Sequence, residues 1–426
     1  MLLTKLAVGV FSAVLSAYVL RSHALLALSE RRFRTLLWCT VLPGYAVLAA
    51  ILHGTRASAD LSDASGYYYP AALEALAGKL VYRDFPSSYA PLFSYLAALC
   101  VALWNDPRVF CVAAILLHAI GLRVWLGAAT GRVDATALRR AAALVAVNGH
   151  VLINVLVGQN QVWVAAFVAL SAALAWRGRA FASGAVLGAG LASVKLLAIV
   201  FAASLWPAAT HRARWLLGFA LVALGMHGAF AFAGADVWMP IRLEGPLATS
   251  GNLPFLLSVV GLDPGGAAGL VLTAAGIVLG ATVAWRSLTE LPPTSAARVL
   301  ANTALVLLLL LLFSRKAYAT YLVLALFPLC FVIASSTRRG VHLAYLSLVA
   351  LAPVEPSLWF RWFQGRDLRA LWTDFPDPPG VVLHGATFLC VEVALVACYA
   401  VLLVHAHRAA GDRGAAPATN RIIGAP

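Results

Sequence analysis

Apolar windows of about 14–27 residues recur along the whole chain, close to the roughly 20 residues that a helix needs to cross a hydrocarbon core. They fall at about 1–20, 35–53, 91–104, 109–128, 141–157, 161–176, 180–206, 215–233, 266–285, 299–313, 321–336, 341–357 and 381–406. Backbone polar groups in lipid must pair internally, so only helices and closed barrels span a bilayer, and windows of this length are helical. Composition agrees: 62% of residues are hydrophobic and 11% charged, where a soluble domain carries roughly a quarter charged residues. The expectation is an all-α polytopic membrane protein with about 13 transmembrane helices, or 12 to 14 given the short windows. It forms one integral domain over 1–407, followed by a Gly-, Ala- and Pro-rich cytoplasmic tail over 408–426 that is expected to be disordered.

A net charge of +14 would point to nucleic acid in a soluble chain. Here it is explained by Lys and Arg held in cytoplasmic loops, and no nucleic acid is expected as a partner. The basic groups are Arg21 with Arg31, Arg32 and Arg34; Arg212 with Arg214; Arg338 with Arg339; and Arg408 with Arg413. Placing them inside makes the loop 54–90 external. Plain alternation of thirteen windows then leaves Arg132, Arg139 and Arg140, and also Arg177 and Arg179, on the wrong side. A re-entrant hairpin over 180–206 would change this, but it needs a second irregularity near 91–128 to restore parity. Plain alternation is the simpler expectation.

The first window has no small-residue cleavage site leading into a soluble domain, so it reads as a retained span. The six cysteines lie in apolar windows with no CxxC pair, and neither a disulfide framework nor a zinc site is indicated. There is no GxxxxGK[ST] loop, no GxGxxG between a strand and a helix, and no Asp-x-Asp. Gly184 and Gly188 form a GxxxG inside an apolar window, the usual mark of close helix packing.

Water-facing chemistry is therefore sought in the loops. The 54–90 loop holds Asp60, Asp63, Glu74 and Asp84, four of the 17 acidic residues, together with Tyr67, Tyr68 and Tyr69 and a short amphipathic helix over AALEALAG. A second external loop is expected over 234–265. Phe360–Pro379 holds Asp367, Asp374 and Asp377 and reads as a helix lying on the outer membrane surface.

The order Asp, Tyr, Ala-Ala, Gly, Tyr and Tyr89-Ala90-Pro91-Leu92 resembles the first external loop of the GT-C superfamily of lipid-sugar-dependent glycosyltransferases. More narrowly, it is similar to the polyprenyl-phosphate-mannose-dependent mannosyltransferases of glycosyltransferase family 87. A second block is similar to that family too: Gly158-Gln159-Asn160, Arg177-Gly178-Arg179, Gly184 through Gly188 to Lys195, and His211 through Trp215. Ser250-Gly251-Asn252 resembles its later external segment. The resemblance covers roughly 55–330 and departs at Ser314-Arg315-Lys316-Ala317-Tyr318, where the family carries Ser-Pro followed by Trp and His. It implies a GT-C-like fold, a polyprenyl-phosphate sugar donor, most often carrying mannose, and a lipid or glycan acceptor, with membrane lipids around the bundle.

Transfer from such a donor needs a base for the acceptor hydroxyl and cations for the departing phosphate. The leaving group is already ionised, so no general acid is needed. No cofactor is expected, metal is optional, and one direct displacement inverts the anomer. Asp63 is the first choice for the base and Asp60 the second; either is otherwise a helix cap or a solvated loop residue. Asp84 beside Arg83 reads as a loop ion pair, and Glu74 as solvated.

Lys195 lies in mid-window, where a charge costs about 2.5–3.5 kcal/mol on insertion scales. It either faces a polar cavity or snorkels. Arg315 and Lys316 are phosphate ligands or interfacial anchors, with Arg242 a weaker candidate. Tyr67, Tyr89, Asn252 and His227 are further candidates for contacting substrate. Gln159 and Asn160 are as well, although plain alternation puts that pair at the inner face, where helix-to-helix hydrogen bonding is the favoured reading.

The leading expectation is thus a glycosyltransferase in a bacterial cell membrane acting at the outer face. The alternatives are a flippase for lipid-linked sugars, which would favour an inverted repeat that the sequence does not show, and a polymerase or ligase of surface polysaccharide.

Overall fold

The computed structural model describes residues 2–54, 63–245, 248–261, 267–289, 295–358, 374–377 and 381–411. Among these the chain is helical apart from a two-stranded antiparallel hairpin, Asp374–Asp377 with Val381–His384. Seven helices are long and apolar enough to cross a membrane: Leu3–Arg21, Glu30–Ala50, Val109–Ala129, Arg212–Phe232, Val271–Thr289, Ala296–Phe313 and Gly385–Gly411. There are eight if Gly149–Leu156 and Gln161–Trp176, bent by 115° at their junction, count as one span. Ala296–Phe313 is the central element. It is 78% buried, while Val271–Thr289 is 6% buried and presents nearly all its apolar surface to the surroundings, as a helix facing lipid does.

Six of the thirteen apolar windows, 91–104, 141–157, 161–176, 180–206, 321–336 and 341–357, hold no single helix of that length among the described residues, and two of them position the first loop. Phe93–Leu103 has only 11 residues and lies along the first loop. At its start the Tyr95 hydroxyl reaches the backbone of Lys79 and Val81, and just past its end Asn105 accepts from the Tyr69 hydroxyl at 2.8 Å. The 180–206 window is a re-entrant hairpin. Ala180–Ser193 runs in, the backbone extends at Val194 and Lys195, and Leu196–Phe201 with Ala202–Leu205 runs back. Both feet stand beside the start of Arg212–Phe232: Trp215 Nε1 donates to Ser183 Oγ at 2.9 Å and Trp206 Nε1 to the Arg212 carbonyl at 3.3 Å.

Contacts among the described residues gather the basic residues into two groups. Arg139 donates to the Leu26 and Leu28 carbonyls at 3.1 and 2.7 Å and pairs with Glu30 at 3.2 Å, beside Arg31, Arg32 and Arg34. Arg177 and Arg179 flank the same end as Arg212, through the Ser183–Trp215 contact. Arg212 in turn reaches the Leu288 carbonyl, and Arg286 reaches His407. Arg338 shares a groove with His405 and Arg408.

Three further expectations change. Asp374 and Asp377 sit in the hairpin, not a helix, as Pro376 between them accords with; residues 359–373 lie outside the described set. The last helix continues through Gly411, past the expected start of the tail, and 412–426 lie outside the described residues. The 234–265 loop carries two short helices of its own, Met239–Glu244 and Leu253–Val259.

The GxxxG reading is confirmed in detail. A Cβ at Gly184 would collide with the Trp215 carbonyl, one at Gly188 would lie 2.7 Å from the Phe219 carbonyl, and one at Gly218 would collide with the Phe181 carbonyl. Backbone faces backbone, so no side chain can yield. Gly184→Leu is expected to cost more than the roughly 1–3 kcal/mol of ordinary overpacking. It should be read as a lowered unfolding midpoint in detergent or as lost expression; an unchanged midpoint would refute the close packing.

Candidate functional site

The first loop docks on the helical bundle. Ala64–Tyr68 forms one π-turn that continues into Tyr69–Leu76, with Pro70 in the first turn where its missing N–H is not needed. Gly78, at φ +79°, ends that helix. The chain then turns through Tyr82, the one non-glycine residue with positive φ among those described (+67°). Surroundings must over-determine such a conformation. Here the Tyr82 N–H donates to the Phe85 carbonyl at 2.8 Å and its hydroxyl to the Tyr89 carbonyl. That clamp fixes Tyr89. Ala90 and Leu92 then donate to the carbonyls of Val194 and Ala192 at 3.2 and 3.1 Å, docking the loop on the tip of the re-entrant hairpin.

This docking gathers residues far apart in sequence. Lys195 Nζ lies 5.6 Å from the Tyr89 ring centroid and 5.2 Å from that of Tyr321, within cation–π range. Lys195 is within electrostatic reach of Asp63, and Lys316 of both. Tyr68, fully buried, donates to Asp63 Oδ2 over a long 3.5 Å and accepts from the Asn160 backbone N–H at 3.3 Å. Its ring packs edge-on against Tyr89, Phe93 and Phe110. The result is one carboxylate facing two amines across a wall of tyrosines. Among the described residues Lys195 has no carboxylate at ion-pair distance, whereas Lys316 pairs with Glu244.

Asp63, Lys195, Lys316 and Tyr89 thus come together. Tyr67, largely exposed, lies at the rim. Asp60 falls outside the described residues. Asn160 is corrected from the inner face to the site, because Gly158–Asn160 is the turn between the two helices bent at 115°, seated on Phe110 and Tyr68. Its side-chain amide is fully buried and makes no hydrogen bond among the described residues, leaving two donors and an acceptor available. Gln159 is half-buried beside it.

Other candidates do not join this cluster. The Arg315 guanidinium donates to the Gly245 carbonyl, and Arg242 pairs with Asp236. His227 faces its own helix through the Ala223 carbonyl at 2.8 Å. Asn252 caps Leu253–Val259 and donates to the Thr249 carbonyl at 2.8 Å. Asp84 forms the expected exposed pair: hydrogen bonds from Arg83 and the Leu80 N–H hold its carboxyl down to about 2, the signature of a solvated ion pair and not of a base. Glu74 pairs with Lys79.

The sequence reading missed Tyr68, Tyr318 and Tyr321. Three consecutive tyrosines hide which one turns inward, and only burial separates Tyr68 from its neighbours. Tyr68→Phe removes the hydroxyl joining Asp63 to Asn160 while keeping the ring. It is expected to lower whatever turnover depends on Asp63 by about tenfold, the worth of a hydrogen bond to a charged group, and to lower the unfolding midpoint modestly because the buried Asn160 N–H loses its acceptor. Among the described residues no group of three or more His, Cys, Asp or Glu stands together as a metal centre. No protein-family model matches the chain and no curated protein matches it.

Proposed function

We propose that the protein is an integral membrane glycosyltransferase that moves a hexose, most readily mannose, from a polyprenyl-phosphate donor to a lipid or glycan acceptor. The observation that carries this reading is the mutual reach of Asp63, Lys195 and Lys316 beside the rings of Tyr89 and Tyr321. One carboxylate and two amines are the complement that such a transfer requires. Asp63 takes the proton of the acceptor hydroxyl as it attacks the anomeric carbon, and the amines hold the phosphate as the glycosidic bond breaks. Tyr89 and Tyr321, flanking Lys195, offer flat apolar faces for a sugar ring, and the free amide of Asn160 offers hydrogen bonds to its hydroxyls. The attack is in line with the departing phosphate, so the anomer inverts.

Placed in a bacterial cell membrane with its basic loops in the cytoplasm, the site lies at the outer face, and the bundle takes a GT-C-like arrangement. The test is incubation of the purified protein with radiolabelled polyprenyl-phosphate mannose and a panel of lipid and glycan acceptors. Label in an acceptor supports the proposal. Retention of all label in the donor across the panel, and with other polyprenyl-phosphate hexoses, counts against it.

A further inference from the structure

Beside the cationic segment 314–318 two carboxylates are buried together. Glu355 opens the short helix Glu355–Leu358 and Glu392 lies in Gly385–Gly411; both side chains are fully buried. Successive residues of one turn bind them. The Ser250 hydroxyl donates to Glu355 Oε1 and the Gly251 N–H to Glu392 Oε2. Gly251 manages this at φ +76°, with Glu355 so close that a Cβ would lie 3.5 Å from its Cδ. The two remaining oxygens, Glu355 Oε2 and Glu392 Oε1, are buried and have no hydrogen-bond partner within ordinary distance among the described residues, the Ala319 N–H being the backbone donor turned toward the Glu355 carboxyl. The Tyr399 hydroxyl, also fully buried and without a hydrogen-bond partner among the described residues, lies within electrostatic reach of both carboxylates.

Two anions so placed in a medium of low dielectric repel strongly, and a buried carboxylate oxygen without a donor is costly. One proton resolves both problems. It gives one orphan oxygen a hydrogen to donate and the other a donor to accept from, and it leaves a single negative charge. We propose that Glu355 and Glu392 are a carboxyl–carboxylate pair sharing one proton, and that the pair is a pH-sensitive latch holding Thr249–Asn252 under the segment that carries Arg315 and Lys316.

The mechanical link is direct. Thr249 N–H donates to the Arg315 carbonyl at 3.0 Å and Thr249 Oγ1 to the Ala317 carbonyl at 3.1 Å. Among the described residues, the charged and titratable groups around the pair are Lys5 from Leu2–Arg21, Tyr318 from the segment above, and Tyr399 and Cys398 from the last helix; His150 stands beyond Lys5. Lys5 balances the single charge that remains. Burial raises the Glu355 carboxyl above the ordinary carboxylate range. The folded protein therefore binds more protons than the unfolded chain from that range upward, and its stability falls as pH rises through the interval.

Infrared spectroscopy of the protein in detergent tests the shared proton independently of any transferase activity. At neutral pH the C=O stretch of a protonated carboxyl is expected in the wild type, titrating away at alkaline pH and lost in both Glu355→Gln and Glu392→Gln. Alongside it, amide hydrogen exchange of residues 249–252 should rise on the order of tenfold beyond its intrinsic pH dependence as the band disappears, matching loss of a hydrogen bond to a charged group. In Glu392→Gln, whose amide donates permanently, that excess should vanish. A wild type without the band at neutral pH overturns the proposal, as does a band untouched by either replacement. If neither variant folds, the wild-type band and its coincidence with the exchange transition decide alone.

Discussion

Asp63→Asn is expected to reduce sugar transfer by about 100-fold or more while leaving donor binding and the unfolding midpoint unchanged. The asparagine keeps the size and one oxygen of the side chain, so the 3.5 Å contact with Tyr68 survives. What disappears is proton affinity, and positioned general bases contribute about 10²–10⁴-fold. The measurement is single-turnover transfer at saturating donor, compared with binding of the same donor at equilibrium. Loss of binding in parallel with turnover would make Asp63 a structural anchor of the π-turn. Normal turnover would move the base to another carboxylate, with Asp60 first in line.

Lys195→Met should weaken donor use by about tenfold to a hundredfold, the range set by a hydrogen bond to a charged group worth roughly 1.5–3 kcal/mol. Methionine preserves length and apolar packing between the Tyr89 and Tyr321 rings, so folding is expected to persist. Lys316→Met should act in the same direction but more weakly, since Lys316 is already paired with Glu244. The double variant should fall short of the sum of the two free energies if both amines meet one phosphate. Arg315→Gln should do less than either, because its guanidinium is occupied by the Gly245 carbonyl. The check is kcat/KM for the donor across the set. Unaltered kinetics together with a raised unfolding midpoint in Lys195→Met would reduce this lysine to a tolerated charge.

Much of the fold was legible because hydropathy over about 20 residues is a strong physical signal. Hydropathy does not record whether an apolar stretch crosses, however. Phe93–Leu103 and the 180–206 hairpin are as apolar as true spans, and their course is set by tertiary contacts: Tyr95 and Asn105 on one, Trp206 and Trp215 on the other. The basic groups held part of the missing information. Arg139 and Arg179 sit awkwardly in a plain alternation of thirteen windows, and 180–206 is one of the windows that holds no single helix of spanning length.

The site was legible where a charge was out of place. Lys195 stood out in an apolar window and proves to be the hairpin tip, and Asp63 stood out in the loop that caps it. Asn160 was misplaced by plain alternation. Glu355 and Glu392 passed unnoticed because a lone acid at a helix end or in an apolar helix has no periodic signature. Only the fold shows that they meet.

The central claim is that this site transfers sugar rather than passing a lipid-linked sugar across the membrane. The most direct measurement uses proteoliposomes loaded with labelled polyprenyl-phosphate mannose in one leaflet and acceptor lipid throughout, with acceptor labelling and donor leaflet both followed. The account predicts labelled acceptor, dependent on Asp63 and Lys195, with the remaining donor still in its original leaflet. Donor equilibrating between leaflets while no acceptor gains label would contradict it.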